Sequence, residues 1–406
     1  MSESGTPFLK YGPRNLFWLM DHYNDIHIRF SAVLDHEIDG ALMEEAWQRT
    51  IRVFPVIGCV IEMEGKELFF YPAKGENRAV RSKAPINPGS AEVNGCVITA
   101  TYYADRITVS AYHTMVDGGG LNEIFKTLLY FYLSSRTGEC DEPEGVQTAE
   151  GRPPEAYYRP VSPDELGTFT PVPLHTMPYL RDFAEDPDME ADEGGNRYFA
   201  SVRFPVSLFI RKCKEIGANP TAMLSLLTAK AFYTLHPEER KDLFFEVTTS
   251  VRKTFGAEGC ISNCVCNVIA DAEYSDVMNG DVRDYVRKIR AEIDSQRTDD
   301  YIKSWRLFDS TYGHNYVNKQ ITLSYIGRLD IGINTKHIAN LEMATNAVQL
   351  VLLMQLEEDF LLMLQLGKAT GKYLERMGEL LNEMGIPVQA ASELHSVVTD
   401  SDVPVL

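Results

Sequence analysis

The sequence lacks an excess of basic charge. Its 39 lysines and arginines are outnumbered by 58 aspartates and glutamates, which gives a formal net charge of −19 and a pI of about 4.9. A general nucleic-acid-binding protein would carry a basic surface or a basic stripe, and no Lys/Arg cluster of that kind is present. We therefore expect no nucleic-acid partner, and an anionic substrate would need a local basic pocket.

The sequence also lacks an uninterrupted hydrophobic run that could cross a membrane. The most apolar stretch, VQLVLLMQLEEDFLLMLQL (348–366), is broken by Glu357, Glu358 and Asp359. That pattern is typical of two buried strands joined by a charged turn. The opening residues, MSESGTPFLKYGPRN, show no apolar segment of the signal-peptide type. These features predict a cytoplasmic protein without a membrane span.

Cysteines are few and do not have the spacing of a disulfide framework. The seven cysteines are scattered, and the tightest group is Cys260, Cys264 and Cys266 in CISNCVC. The group has no paired CxxC and no nearby His or Cys as a fourth ligand, so buried free thiols in a strand are favoured over a metal site. We predict no metal site.

Several widespread catalytic motifs are missing. The sequence has no GxSxG nucleophile elbow, no Walker A loop, no GxGxxG after a strand and no HExxH. These absences argue against α/β-hydrolases, P-loop nucleotide hydrolases, dinucleotide-dependent enzymes and zinc proteases.

The chain is too long for one compact core, so two halves are expected. Residues 138–194 hold nine of the 20 prolines, and DFAEDPDMEADEGG within them carries seven acids and no base. This segment is predicted to be a long, irregular crossover. The predicted organisation is therefore an N-terminal half at 1–137, the crossover at 138–194, and a C-terminal half at 195–406.

Each half contains the same local order of elements. A hairpin runs into a glycine-containing turn and then a helix in ITVSAYHTMVDGGGLNEIFKTLLYFY (107–132) and again in FLLMLQLGKATGKYLERMGELLNEM (360–384). The repetition predicts two similar α/β units with a cleft between them, and such interfaces often hold ligand sites. Only the first copy contains a histidine and an aspartate.

The stretch SAYHTMVDGGGLNEIF (110–125) carries the candidate chemistry. A histidine at the end of a strand, His113, can act as a general base when its ring is held in one orientation. Asp117 could orient the ring or pair with a distant arginine and lock the loop. Gly118 to Gly120 permit close approach of a substrate, and the N–H groups of the helix predicted at 121–135 favour a nearby negative charge. The plainer alternative is that His113 ends a strand and Asp117 caps that helix.

The motif in this stretch resembles the HxxxDG signature of the chloramphenicol acetyltransferase-like superfamily. This group includes condensation domains, BAHD acyltransferases, polyketide-associated acyltransferases and alcohol acetyltransferases. Other segments resemble the group by order and spacing: FSAVLDHEIDGALMEEAWQRTIRVFPVIGCVIEMEGKELFFYP at the start, VTTSVRKTFGAEGCISNCVCN with an arginine after a strand and a later asparagine, and ITLSYIGRLDI near the end. HxxxDG is the distinctive part.

The resemblance implies a fold and a reaction. The fold would be two mixed-sheet sandwich halves with helices and an active-site tunnel between them. The reaction would transfer an acyl group from acyl-CoA or an acyl carrier protein thioester to a small hydroxyl or amine acceptor, with no tightly bound cofactor. By the same resemblance, His113 is the general base, Asp117 pairs with an arginine, and Gly118 gives room beside the histidine.

The resemblance also indicates further candidate residues and some departures. Arg252 and Arg14 are the candidate partners of Asp117, and Arg252 is preferred. Tyr112, Ser324 and Tyr325 are the candidate substrate-binding residues, and Ser324 and Tyr325 would face the channel and contact the oxyanion or the acceptor. Tyr112 stands where condensation domains have a first histidine, which argues against peptide-bond formation, and the DFGWG motif of plant BAHD enzymes is absent. The rival hypothesis is a non-catalytic member that binds a carrier protein or a small molecule.

Overall fold

The computed structural model describes residues 8–13, 27–64, 67–113, 115–153, 156–158, 166–175, 183–193, 197–312, 321–345 and 349–397. Within these ranges the strands are β1 (Leu9–Pro13), β2 (His27–Leu34), β3 (Cys59–Glu64), β4 (Glu67–Pro72), β5 (Val80–Arg81), β6 (Ile98–Tyr103), β7 (Arg106–Tyr112), β8 (Arg197–Pro205), β9 (Leu243–Ser250), β10 (Val265–Ala272), β11 (Ile321–Leu329), β12 (Ile338–Thr345), β13 (Gln349–Leu356), β14 (Asp359–Gln365) and β15 (Gln389–Val397). The helices in the same ranges are α1 (Gly40–Val53), α2 (Gly118–Thr137), α3 (Val206–Ile216), α4 (Pro220–Leu235), α5 (Tyr274–Met278), α6 (Val282–Ser295), α7 (Asp299–Tyr312) and α8 (Thr370–Glu383).

Two large mixed sheets organise the chain, as the resemblance in its sequence implied. The N-terminal sheet has the order β12-β2-β7-β6-β5, and the C-terminal sheet has the order β10-β9-β11-β13-β14-β8-β15. In the C-terminal sheet, β11 runs parallel to β9 and β13, whereas the remaining pairs are antiparallel. A small third sheet has the order β1-β4-β3. Strand β12 follows the crossover in sequence yet pairs with β2, so the two halves share a sheet.

The C-terminal sheet is buried on both faces. Along β13, Val351 and Leu353 pack into a core with α4, α6 and α8, while Leu350, Leu352 and Met354 pack into the core of the N-terminal half. Because successive strand residues point to opposite faces, a strand covered on both sides must be apolar throughout. This explains the apolar stretch at 348–366, which forms two buried strands with a charged turn, as predicted.

Helix boundaries follow local capping signals, with one correction to the sequence prediction. Helix α1 starts after Asp39, whose carboxylate accepts N–H bonds from Ala41 and Leu42. Helix α2 was predicted at 121–135, but it begins at Gly118. The three glycines were expected to form a loop before the helix. They instead make its first turn, because Asp117 caps them.

The described parts of the crossover contain no strand and no helix longer than one short turn at Pro187–Met189. Asp186 anchors this segment on the C-terminal half. Its buried carboxylate lies 3.0 Å from His236 Nε2, 3.1 Å from Lys372 Nζ, and 3.1 Å from the Tyr373 hydroxyl. Within the described ranges, no helix combines the length and apolarity needed to cross a membrane.

Candidate active site

The turn between β7 and α2 places His113 one residue beyond the end of its strand and Asp117 at the start of the helix. Asp117 is 1% exposed, and its Oδ1 accepts the N–H of Gly120 at 2.7 Å. Asp117 is therefore the N-cap of α2, which is what the plainer sequence alternative expected. The cap does not exclude the second role, because the carboxylate has further partners.

Arg252 is the charged partner of Asp117. Its Nη2 lies 2.8 Å from Asp117 Oδ1, and the same guanidinium donates to the carbonyls of Cys260 at 2.8 Å and Ser262 at 3.0 Å. Burial disfavours the charge on Arg252, but the Asp117 carboxylate outweighs it and raises the pKa of Arg252 above its usual value. Arg14, the other candidate partner, lies outside the described residues.

The segment 260–264 closes over the turn from the second half of the chain. The N–H of Cys264 donates to Asp117 Oδ2 at 2.8 Å, and Val116 forms an antiparallel bridge with Ser262. Both oxygens of Asp117 are thus occupied by protein donors. Because the Asp117 side chain is also only 1% exposed, its carboxylate is surrounded by these protein donors.

The glycines after Asp117 are required by close packing. A Cβ on Gly120 would overlap the carbonyl oxygen of Ile261, which is backbone and cannot move aside cheaply. A Cβ on Gly118 would stand 3.0 Å from Ile326 Cδ1 and 3.4 Å from Met343 Cε. The space beside this turn is therefore filled by Ile326 of β11, Met343 of β12 and the 260–264 segment, and the backbone contact at Gly120 leaves room for glycine alone.

The His113 side chain is partly buried at this junction of the two halves. Burial is the largest influence on the pKa of His113 and lowers it below the usual value. The backbone of His113 itself and the Asp117 carboxylate act in the opposite direction without cancelling the shift. A lowered pKa keeps the ring neutral near pH 7, which is the state that a general base requires.

Ser324 lies on the face of the C-terminal sheet that is turned towards the N-terminal half. It is the neighbour in register of Leu352 on the parallel strand β13, so the two side chains are on the same face of the sheet, and that of Leu352 packs in the N-terminal core. The Thr248 hydroxyl donates to Ser324 Oγ at 2.9 Å, which leaves the Ser324 O–H to donate elsewhere. Directly after it, β11 bulges between Tyr325 and Gly327, and the extra residue, Ile326, contacts the turn at Gly118.

The structure separates Tyr325 from this arrangement, whereas Tyr112 directly precedes His113 in the chain. Tyr325 lies on the opposite face of the C-terminal sheet, 41% exposed, with its ring edge-on to Phe360 at 6.1 Å between centroids. Tyr112 is the last residue of β7 and pairs with His27 across the strands, with its ring over Gly89. Thus His113, Asp117, Gly118, Arg252 and the Ser324 strand come together, and Tyr325 does not join them.

A cavity of about 440 Å³ opens elsewhere, where the ends of β11, β13 and β14 meet β12. Charged side chains of both signs line it, including Arg203, Arg328, Glu358 and Asp359. His113 and Ser324 are not among the lining residues, so this cavity is separate from the candidate site.

Sequence reasoning did not assign two residues that the structure brings to the site. Thr248 is the hydrogen-bond partner of Ser324, and Asn263 donates to the carbonyl of His113 at 3.1 Å. The signals in the sequence were the segment VTTSVRKTFGAEGCISNCVCN, whose arginine and later asparagine resemble the superfamily, and the CISNCVC part of it, which was weighed as a metal site. Its Cys260 and Cys264 are buried free thiols, and Cys264 lies just before β10 rather than within it. In the part of the chain that the structure describes, no cluster of His, Cys, Asp or Glu could hold a metal ion.

The chain matches no protein-family model and no curated protein sequence. Its fold, however, matches solved structures along nearly the full length of both chains. Polyketide synthase associated protein 5 from Mycobacterium tuberculosis superposes with a TM-score of 0.66 at 12% identity, covering 92% of this chain and 98% of that one. TRI101 from F. sporotrichioides, complexed with coenzyme A and T-2, gives 0.62 at 12% identity, covering 90% and 96%.

A third similar structure is the first condensation domain of the calcium-dependent antibiotic synthetase in complex with a substrate analogue. It superposes with a TM-score of 0.61 at 13% identity, covering 99% of this chain and all of that one. Similarity at such low identity shows a common fold and leaves the reaction to be argued from the site. The chain therefore has the two-lobed chloramphenicol acetyltransferase-like fold that the resemblance in its sequence predicted.

Proposed function

We propose that the protein is an acyltransferase that moves an acyl group from a thioester to a hydroxyl or amine acceptor, with His113 as the general base. The observation that carries the proposal is the division of roles within the turn. Both carboxylate oxygens of Asp117 accept hydrogen bonds, from Gly120, Arg252 and Cys264. His113 is then the group of the motif that remains for chemistry, held neutral by its burial.

The proposed reaction begins when neutral His113 takes the proton of the acceptor O–H or N–H. The acceptor oxygen or nitrogen attacks the thioester carbonyl carbon and gives a tetrahedral oxyanion. The oxyanion collapses, the carbon–sulfur bond breaks, and the thiolate leaves. The protonated His113 then returns its proton to the thiolate, so the products are the ester or amide and a free thiol.

Ser324 is the proposed donor to the oxyanion. Its hydroxyl oxygen is held by Thr248, and its own proton points to no partner within the described contacts. A fixed donor that faces developing negative charge in a partly buried site contributes strongly to acyl-transfer rates. Tyr325, on the other face of the sheet, has no part in this mechanism.

The proposed donor is acyl-CoA or the thioester of a carrier protein, and the acceptor is a small molecule. Coenzyme A is supported by TRI101, a structure of the same fold that is complexed with it. The net charge of −19 gives no general attraction for either anionic donor, so recognition must depend on local groups.

The test follows free thiol during incubation of the whole protein with acetyl-CoA, longer acyl-CoAs and a panel of alcohols and amines. We expect thiol release that falls at least about 100-fold in His113→Ala, since a general base contributes about 10²–10⁴-fold. His395→Ala, at an exposed histidine on β15, is the matched control and should match the parent protein. No release above the His113→Ala level across the panel contradicts the proposal, and coenzyme A binding without release supports a non-catalytic binding protein.

A further inference from the structure

Asn263 joins the second half of the chain to the backbone of His113. Its side-chain Nδ2 donates to the carbonyl oxygen of His113 at 3.1 Å, across 150 positions of sequence. Its main-chain N–H donates to the carbonyl of Met115, also at 3.1 Å. Asn263, in the segment between β9 and β10, thus holds the turn on both sides of position 114. The bond from its side chain is made to the candidate base itself.

The orientation of the Asn263 amide is determined by its other end. Its Oδ1 accepts the N–H of Val265 at 3.3 Å, so the acceptor side of the amide belongs to its own turn. The donor side must then face His113, because a carbonyl accepts and does not donate. A flipped amide would lose both bonds, which means that the contact with His113 is specific to an amide and not to a polar side chain in general.

The carbonyl that receives this amide also acts on the imidazole. The backbone of His113 itself favours the protonated form of its ring, against the larger effect of burial. The ring nitrogen that faces the substrate depends on how the other nitrogen is held. Because the Asn263 amide holds the backbone from which the His113 side chain extends, movement of this carbonyl would shift the ring and with it the affinity of the ring for a proton.

We propose that Asn263 is a positioning residue for the general base and acts through the carbonyl of His113. This rests on the proposed function of His113. The base is oriented only when the 260–264 segment of the second half is docked on the turn, so the active site is assembled across the two halves. Small displacements of a reacting group are costly, about 100-fold in rate for about 1 Å, so the amide has a measurable effect without contacting the substrate.

The kinetic test compares Asn263→Ala with Asn340→Ala. Asn340 is a buried asparagine of β12 whose Nδ2 donates to the Ala391 carbonyl at 3.0 Å, so it makes the same kind of bond away from the site. We expect Asn263→Ala to lower kcat about 10-fold or more with KM within about twofold. Asn340→Ala should leave both constants unchanged while lowering the melting temperature by a similar amount. Equal kcat in the two variants would overturn the proposal.

A second variant separates orientation from folding. Asn263→Asp keeps the acceptor for the Val265 N–H but replaces the donor facing His113 with an oxygen that repels its carbonyl. We expect it to fold and to lose more activity than Asn263→Ala. Its added carboxylate should also raise the pKa of His113. An Asn263→Asp protein with the parent kcat would contradict the role of the amide.

A titration that needs no turnover distinguishes failure of this inference from failure of the proposed function. Histidine ring signals are followed by NMR against pH in the whole protein, and His113 is assigned by comparison with His113→Ala. In Asn263→Ala we expect the His113 midpoint to rise by about half a unit or more, since its carbonyl has one donor fewer and accepts more strongly from the protonated ring. If the midpoint of His113 is the same in Asn263→Ala and in the parent protein, the positioning role is wrong even when the enzyme is active. If the midpoint shifts but the protein releases no thiol from any acyl-CoA, the positioning role is supported and the proposed reaction is wrong.

Discussion

The Asp117 carboxylate and the Arg252 guanidinium meet at 2.8 Å although 135 positions separate them in the chain. Asp117 is 1% exposed and the Arg252 side chain 15%, so the pair is shielded from water. This ion pair connects the N-terminus of α2, at Asp117, to the segment that follows β9, at Arg252. The position of His113 consequently depends on residues of both halves.

Replacing Asp117 by asparagine should cost stability as well as rate. The variant leaves Arg252 buried without its counter-charge. The new side-chain amide also places an N–H group against at least one of the three donors that the carboxylate accepted. We expect the free energy of unfolding to fall by about 3 kcal/mol or more, measured by urea denaturation, together with a loss of kcat. Glu76→Gln is the control: it breaks the exposed Arg78–Glu76 pair and should change the stability little, because solvent screens an exposed ion pair. Full stability with lost activity would instead assign direct chemistry to Asp117.

The pH profile should reflect the lowered pKa of His113. Burial keeps the ring neutral to lower pH than a free imidazole, so kcat/KM should be flat near pH 7 and fall on acidification with a midpoint below 6.5. Because the Asp117 carboxylate favours the protonated ring, its removal in Asp117→Asn should move this midpoint to still lower pH. An acidic limb at or above pH 6.5 in the parent protein would argue against His113 as the titrating base.

Alanine at Gly120 should loosen the contact between the halves. Its Cβ would overlap the carbonyl of Ile261, and relieving the overlap must shift backbone. We expect a loss of about 1–3 kcal/mol in the free energy of unfolding, measured by denaturant, with reduced kcat. Gly371→Ala in α8 is the matched control, since its Cβ would meet only the Leu394 side chain at 3.4 Å and alanine favours a helix. Equal stability of the two variants would show that the backbone of the segment 260–264 can move away from the added methyl group at little cost in free energy.

Loss of the Ser324 hydroxyl should affect the chemical step more than binding. If Ser324 donates to the oxyanion, Ser324→Ala should lower kcat about 10²–10³-fold with little change in KM, measured by steady-state thiol release. Ser201→Ala removes another buried hydroxyl of the same sheet, one that pairs with Ser392 at 3.0 Å, and should leave kcat unaltered. A fall in stability without a change in kcat would assign Ser324 to packing.

Local pattern was enough for the elements and for the fold. The hairpin at 348–366 was predicted because apolar runs and charged turns act over a few residues. The resemblance carried by the motif around His113 predicted the fold that the chain shares with the solved structures. The start of α2 was predicted three residues late, since glycine weighs against a helix in sequence. Capping by Asp117 outweighs that preference in the folded chain.

Most contacts between distant segments were decided by the tertiary structure, the Asp117–Arg252 pair being an exception. The sequence by itself determined two mixed α/β halves, a His–Asp–Gly turn after a strand, and Arg252 as the preferred partner of Asp117. It contained no sign that the Asn263 amide would meet the His113 carbonyl, or that Ile261 would exclude a side chain at Gly120. It placed Tyr325 with Ser324, whereas the pleat of β11 turns them to opposite faces. Such contacts depend on how two sheets dock, and docking is set by the summed packing of both cores and not by any short stretch of residues.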